Sequence, residues 1–348
     1  MTGRPTGRVV TLTANPSLDA TLELPGPLEL GGVIRLVGSV TEPGGKGVNV
    51  ARAVAAAGGD VVPVLPAADH DPIVHALAAM GLRTATVAVT APVRTNYTLA
   101  GPDGVTTKLN EPGTALDDAT RTALAALLHR HAAGARWVVL SGSLPPATPL
   151  DWYADLVRSL RGTGARVAVD TSEAPLLALL AAGPDAAPDL LKPNSEELAQ
   201  LAGIPEDAVL ADPQVALAAV RTLHDRGVAE VLLTLGADGA LLSTADGGLW
   251  SATPPPIAVR STVGAGDCSL AGYLLADLAG GGPAERLRTA VAYGAASASL
   301  PGSAVPTPDQ VDVSAVQVTP GLHARPATPL SAEPSTTTPV PAAGRDIR

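Results

Sequence analysis

The sequence predicts an α/β fold, with a mostly parallel central sheet, helices on both of its faces, and a small β-sheet standing off the main body. Three observations carry that expectation. Apolar, β-branched runs recur at residues 9–13, 61–65, 137–140, 167–170 and 231–235. Amphipathic Ala/Leu stretches at 117–131, 152–160, 195–201 and 213–225 lie among them with helical spacing of their apolar positions. This alternation builds βαβ units, and a parallel sheet so made gathers ligands at the carboxyl ends of its strands. Finally, residues 21–40 and 95–109 are strand-like but more polar, with Gly and Pro at their ends, which suits a separate sheet acting as a lid or a dimer surface.

Composition narrows the possible partners. The chain has 348 residues, enough for one large α/β domain with decorations. Hydrophobic residues make up 46% and Phe is absent, so the core has to be aliphatic and aromatic base-stacking surfaces are nearly excluded. A formal charge of −10 works against nucleic acid or an anionic membrane as the main partner. Cys268 is the only cysteine, which rules out an intrachain disulfide or thiolate metal cluster and fits a reducing compartment. The first residues lack an apolar leader, and no apolar run is long enough to span a membrane. A cytoplasmic protein is expected. Proline and small residues dominate 306–348, so the packed domain is expected over 1–305 and a largely disordered tail after it.

Taken in chain order, the first strand leads into Asn15-Pro16-Ser17-Leu18-Asp19. A carboxylate there can accept hydrogen bonds from sugar hydroxyls, although an Asx/Pro turn is an ordinary structural device. Gly44-Gly45-Lys46-Gly47-Val48-Asn49 follows, where bare backbone, a cation and an amide converge on a helix start. Such a block suits a polyol or simply caps a helix, and it lacks the spacing of a P-loop. In the small sheet, Arg94, Asn96 and Lys108 could contact a phosphate already on the substrate, or be exposed basic and polar groups of a lid. Ser141 follows a strand and lines the cleft. Lys192-Pro193-Asn194-Ser195-Glu196-Glu197 reads first as a capping box, the functional alternative being that Asn194 and Glu197 orient a hydrated Mg²⁺ near nucleotide phosphates. Thr234, Gly236 and Gly239 belong to a strand and tight turn that a nucleotide could lie against, or to a plain hairpin.

The most informative block is Ser261-Thr262-Val263-Gly264-Ala265-Gly266-Asp267, directly ahead of a helix-like run. Glycines at a helix start free backbone N–H groups for an anion. A carboxylate in that place would repel a phosphate that was merely bound, but serves as a base when the phosphate is transferred to a hydroxyl. The six histidines show no metal-ligand spacing, and Cys268 reads as a small buried thiol.

Together and in this order, these blocks resemble the PfkB, or ribokinase-like, carbohydrate kinases over residues 9–307. Asn15 to Asp19, Asn110-Glu111-Pro112-Gly113, Ser141 to Pro145 and Lys192 to Glu197 look most like the branch of 1-phosphofructokinases and tagatose-6-phosphate kinases. The resemblance implies a three-layer α/β domain with a small β lid at about 20–40 and 91–113, ATP as donor, Mg²⁺ as cofactor and a homodimer formed through the lid. It implies Asp267 as catalytic base and Gly264, Ala265 and Gly266 as the anion hole. It places Asp19, Gly44, Gly45, Lys46, Asn49 and Ser141 on the sugar, with Arg94, Asn96 and Lys108 on its phosphate. Lys192, Asn194, Glu197, Thr234, Gly236, Gly239 and Thr262 fall to the nucleotide, Glu197 reaching Mg²⁺ through water. The acceptor it implies is the 6-hydroxyl of D-fructose 1-phosphate, with tagatose 6-phosphate or fructose 6-phosphate as the alternative substrate and a non-catalytic sugar-phosphate sensor as the alternative of another class. Residues 66–71 depart from the family's glycine-containing turn. Gly321 to Thr328 resembles the phosphohistidine signature of the phosphocarrier HPr, without the domain such a site needs.

Overall fold

A computed structural model describes residues 6–102 and 105–322. The first half of the chain forms β1 (Arg8–Leu12), β2 (Ser17–Glu23), β3 (Gly38–Gly44), α1 (Lys46–Ala56), β4 (Asp60–Ala67), α2 (Pro72–Ala79), β5 (Ala85–Ala88), β6 (Arg94–Ala100), β7 (Thr106–Asn110), α3 (Asp118–Ala132), β8 (Ala135–Ser141) and α4 (Trp152–Leu160). The second half forms β9 (Arg166–Asp170), α5 (Glu173–Ala181), β10 (Leu190–Leu191), α6 (Ser195–Ala202), α7 (Glu206–Ala211), α8 (Pro213–Asp225), β11 (Glu230–Thr234), β12 (Ala240–Thr244), β13 (Leu249–Thr253), α9 (Ala265–Leu278), α10 (Pro283–Ala298) and β14 (Gln317–Pro320).

Ten of the strands make one sheet in the order β14-β13-β12-β11-β10-β9-β8-β1-β4-β5. Neighbours are parallel from β5 across to β11, and an antiparallel edge completes it. Period-two alternation then sorts the side chains into two cores. Val9, Trp137, Val139, Ala168, Leu190 and Leu232 pack with residues of α1, α9 and α10. Their neighbours Val10, Val138, Leu140, Val167, Val169, Leu191, Val231 and Leu233 pack on the other face, with α3, α4, α5, α6 and α8. Each buried Leu or Val contributes roughly 1.5–3 kcal/mol, so aliphatic layers hold the sheet without Phe. Helix α9 is buried along nearly its whole length, which is why its sequence shows no polar stripe.

The second sheet has the order β3-β2-β6-β7 and uses both stretches read as lid segments. Its register sets Asp19 opposite Glu42 and Asn96, and Thr98 opposite Lys108. Asp19, Glu42, Asn96 and Lys108 therefore share one face.

The packed chain runs past the boundary expected at residue 305. Strand β14 pairs with β13 from Gln317 to Pro320, Val316 is 3% exposed, and Val311, Val313 and Val318 pack on the core. Proline-rich composition hid an edge strand, where a proline is tolerated because one side of the ladder is free. The HPr-like segment from His323 onward, with the rest of the tail, lies outside the described residues.

Candidate active site

Strand ends and helix starts meet at one place. Strands β1, β8, β9 and β10 end ahead of Asn15, at Ser141, at Asp170 and beside Lys192, while α1, α6 and α9 begin at Lys46, Ser195 and Ala265. At the centre stands Asp267, 6% exposed, in the first turn of α9. Gly264 caps that helix in the left-handed conformation, φ 78°, which L side chains avoid. The first intrahelical bond runs from Cys268 N–H to the Gly264 carbonyl, so the N–H groups of Gly266 and Asp267 precede it at the positive end of the helix. Ala265 differs from that expectation: its N–H turns back onto the Thr262 carbonyl at 3.3 Å, closing the turn rather than facing a ligand.

Asn49, Lys46, Asp170 and Lys192 act on Asp267, with Glu197 behind Lys46. Asn49 Nδ2, from the first turn of α1, donates to Asp267 Oδ2 at 2.9 Å. Lys46 Nζ donates to Asp170 Oδ1 at 2.7 Å and lies 4.0 Å from Glu197 Oε1. Lys192 Nζ is 3.1 Å from Asp170 Oδ2. Asp170 thus bridges two ammonium groups, and Lys46, grouped with the sugar contacts from sequence, stands here among the carboxylates.

The electrostatics follow from burial and that pairing. Burial pushes Asp267 up to about 6, a rise that Asp170 reinforces and that Lys46, Asn49 and Lys192 moderate. Glu197 is also raised by burial, against the pull of Lys46. Asp170 is buried too, yet Lys192 and Lys46 outweigh the desolvation and hold it below the usual carboxylate range. For Lys46, burial is outweighed by Asp170, Asp267 and Glu197, so it stays charged. A base near neutrality beside fixed cations is suited to taking a proton while negative charge moves nearby.

On the small-sheet side, Asp19 Oδ1 accepts from Ser17 Oγ at 2.8 Å and from Asn96 Nδ2 at 3.0 Å. Gly44 makes room for it, since a Cβ there would stand 2.2 Å from Asp19 Oδ2. Gly45, φ 102°, turns the chain into α1. Arg94 is not free: Nη1 donates to the Glu111 carbonyl at 2.8 Å and Nη2 to the Asn15 carbonyl at 3.3 Å, tying the lid to the β1 loop. Lys108 is exposed on β7.

On the other side, Asn194 and Glu197 form a full capping box, with Asn194 Oδ1 accepting from Glu197 N–H at 2.7 Å and Glu197 Oε2 from Asn194 N–H at 2.9 Å. Glu197 Oε1 is left over and faces Lys46. Thr234 bridges to Asn194 across the strand ends, and Gly236 has open space above it. Gly239 has another cause: a Cβ would stand 2.0 Å from the Ala252 carbonyl, so packing against β13 demands glycine.

One expected contact is displaced. Ser141 is 0% exposed with a partnerless hydroxyl, opposite Asp170 in the sheet, so it lies under the floor of the site rather than lining it. Asp170 itself was not singled out from sequence, although a carboxylate closing a parallel strand was the available signal. Among the described residues no group of three or more His, Cys, Asp or Glu could hold a metal. A single spare carboxylate oxygen at Glu197 fits a Mg²⁺ carried on phosphates and waters, not a protein cage.

The model described as pfkB family carbohydrate kinase matches residues 16–310. The 1-phosphofructokinase of Rhodobacter capsulatus is 36% identical over 316 residues, 90% of this chain and 97% of its own. ATP-dependent 6-phosphofructokinase isozyme 2 of Escherichia coli (strain K12) is 34% identical over 295 residues, 83% of this chain and 92% of its own. The solved tetrameric inhibited form of phosphofructokinase-2 from Escherichia coli aligns with a TM-score of 0.77 at 31% identity, covering 86% of this chain and 96% of that one. With a buried carboxylate at a helix start among paired lysines, and a match across both sheets, the protein belongs to the pfkB family of carbohydrate kinases: an ATP-dependent kinase of a fructose phosphate on a ribokinase-like fold.

Proposed function

We propose that the enzyme transfers the γ-phosphoryl group of ATP to the 6-hydroxyl of D-fructose 1-phosphate, giving fructose 1,6-bisphosphate and ADP. The observation that carries the chemistry is Asp267, buried at the start of α9, hydrogen-bonded to Asn49 and raised to about 6. The 36% identity to a 1-phosphofructokinase over 97% of that protein supports fructose 1-phosphate as the substrate.

In this reading Asp19 and Asn49 hold the sugar, and Arg94, Asn96 and Lys108 meet its phosphate from the lid. Arg94 would first release the Glu111 and Asn15 carbonyls. Asp267 takes the hydroxyl proton as the oxygen–phosphorus bond forms, and the bond between γ-phosphorus and its bridging oxygen breaks toward ADP. Lys46, Lys192 and the Gly266 and Asp267 N–H groups balance the moving charge. Mg²⁺, oriented by Glu197 through water, would neutralise the phosphates when bound. Thr234, Gly236 and Thr262 border the nucleotide.

Exposed Leu30, Val33, Val37, Val40 and Leu109, in and beside the small sheet, support self-association there. The Escherichia coli relative has a tetrameric form, and a homodimer through the lid is our reading for this chain. A single buried Cys268 fits a cytoplasmic setting.

Initial rates on fructose 1-phosphate, fructose 6-phosphate and tagatose 6-phosphate test the substrate. The highest kcat/KM is expected with fructose 1-phosphate. Preference for fructose 6-phosphate would move the protein to the reading favoured by its 34% identity to a 6-phosphofructokinase, and no turnover on any would point to a sugar-phosphate sensor.

A further inference from the structure

Arg52 takes no part in the steps above, yet it is only 5% exposed and stands one helical turn after Asn49 on α1. Its Nη1 donates to Asn49 Oδ1 at 3.2 Å, to the Pro43 carbonyl at 3.0 Å and to the Ser303 carbonyl at 3.2 Å. Its Nη2 donates to Glu42 Oε1 at 2.8 Å. Glu42 Oε2 in turn accepts from Ser303 N–H at 3.3 Å and from Ser303 Oγ at 3.1 Å. The chain of contacts runs from the last turns of the lid strand β3, through α1, to Asp267.

The chemistry of the groups gives this chain a direction. A carboxamide can turn end for end with almost no change of shape, presenting either C=O or NH₂ to a given neighbour. Arginine carries only donors, so the amide has to offer it Oδ1. Nδ2 is then the atom left for Asp267. The reversed amide would set NH₂ against a guanidinium and C=O against a carboxylate, both repulsive.

We propose that Arg52 is a positioning residue that locks the Asn49 amide with its NH₂ on Asp267, Glu42 and Ser303 holding the guanidinium in place. Because that hydrogen bond occupies Asp267 Oδ2, Oδ1 is the oxygen that accepts the proton from the sugar hydroxyl. The inference rests on Asp267 being the base. It also gives a reason for keeping a buried arginine where an apolar side chain of similar volume would often serve stability as well.

Steady-state kinetics of Arg52→Met and Arg52→Lys, each alone and with Asn49→Ala, test it beside Asp267→Asn, with folding followed by thermal unfolding. Arg52→Met is expected to lower kcat by about 10–100-fold, the usual scale for groups that orient a reacting shell, with the KM for ATP little changed. Arg52→Lys keeps a donor-only cation and should recover most of the loss. With Asn49→Ala, Arg52→Met should cost nothing further, because there is no amide left to orient. A normal kcat in Arg52→Met, or the same loss in both backgrounds, overturns the inference. If Arg52→Met does not fold, Glu42→Gln carries the test by releasing the guanidinium without removing it: a kcat loss that vanishes with Asn49→Ala supports the inference, and no loss, or one unchanged in that background, overturns it. Normal turnover in Asp267→Asn would sink the base itself. An inactive Asp267→Asn beside a normal Arg52→Met would sink only the positioning role.

Discussion

Helix α9 links two buried charge networks of opposite character, one at each end of the parallel strands. Asp267 sits in its first turn and Asp277 in its last, about 15 Å apart at 1.5 Å per residue. At the far end, Asp277 Oδ2 accepts from Arg136 Nε at 2.9 Å and from Trp137 Nε1 at 2.8 Å, with Arg166 and Arg286 at 3.6 and 3.5 Å from Oδ1. Glu230 takes Arg166, Arg286 and the Tyr273 hydroxyl. Arg166 also stacks 4.2 Å from the Trp137 ring centre. A carboxylate at a helix C-terminus opposes the helix dipole, and these cations offset it. Although burial opposes its ionisation, Arg136 and Trp137 hold Asp277 below the usual range, whereas burial lifts Asp267 above it. A network saturated by its own partners serves the fold. One that leaves a carboxylate raised and helix N–H groups unspent is arranged for a ligand.

The largest expected effect separates the two ends through activity. Asp267→Asn keeps the shape and the contact to Asn49 but removes the base, so kcat should fall by about 10²–10⁴-fold. Turnover near normal would mean that the raised carboxylate is not the proton acceptor, and the contrast between the ends would lose its functional meaning.

Next is a change at the far end. Asp277→Ala leaves Arg136 Nε and the buried Trp137 N–H without their acceptor and Arg166 and Arg286 with Glu230 as their one remaining carboxylate, and breaking such a buried pairing costs roughly 3–5 kcal/mol. Denaturant midpoints should fall accordingly, while the folded fraction keeps its kcat. A fall in kcat per folded molecule would show instead that α9 couples the two networks.

Protonation sharpens the comparison, because the two carboxylates respond in different windows. Asp267 binds its proton more tightly folded than unfolded, so its contribution to stability is full below about pH 4 and is lost as pH rises through about 6. Asp277, depressed in the folded state, contributes above the ordinary carboxylate pKa and loses that only in stronger acid. Between pH 4 and 6 the wild type should therefore lose on the order of 1–3 kcal/mol that Asp267→Asn does not lose. The acid limb of kcat/KM should fall near pH 6. Parallel stability curves for the two proteins over that interval would contradict the raised pKa.

The two ends also differ in how far they could be read from sequence. Gly264 to Asp267 and Gly44 to Asn49 are local: a turn, a helix start and a charged group fall within a few residues, and backbone chemistry alone gives them meaning. Asp170 acquires its role only when β9 lies between β8 and β10, which brings Lys46 and Lys192 to it from opposite directions. Arg166, Glu230, Asp277 and Arg286 are ordinary surface-type residues until the two-residue strand β10 sets β9 and β11 one strand apart. Ser141 is a related case, since it shares a face with Asp170 and is covered completely only once the neighbouring elements pack over the strand end. Strand β14, Gln317 to Pro320, went unread because the stretch around it is rich in proline and small residues and the strand exists only through pairing with β13.

The smallest expected effect probes backbone strain beside the Asp170 network. Glu173 opens α5 three residues after Asp170 and holds φ 56°, a left-handed conformation costing a non-glycine residue about 1–2 kcal/mol. Its side chain is exposed, so Glu173→Gly removes strain without opening a cavity. Part of the gain is offset by the greater freedom glycine brings to the unfolded chain, leaving a net stabilisation of roughly 0.5–1 kcal/mol. Thermal unfolding should shift upward by a degree or two, with kcat unchanged, if the strain is incidental to Asp170. A more stable protein with a lower kcat would mean that the strained turn holds Asp170 against its two lysines, extending the ligand-ready end of the molecule from its side chains into its backbone.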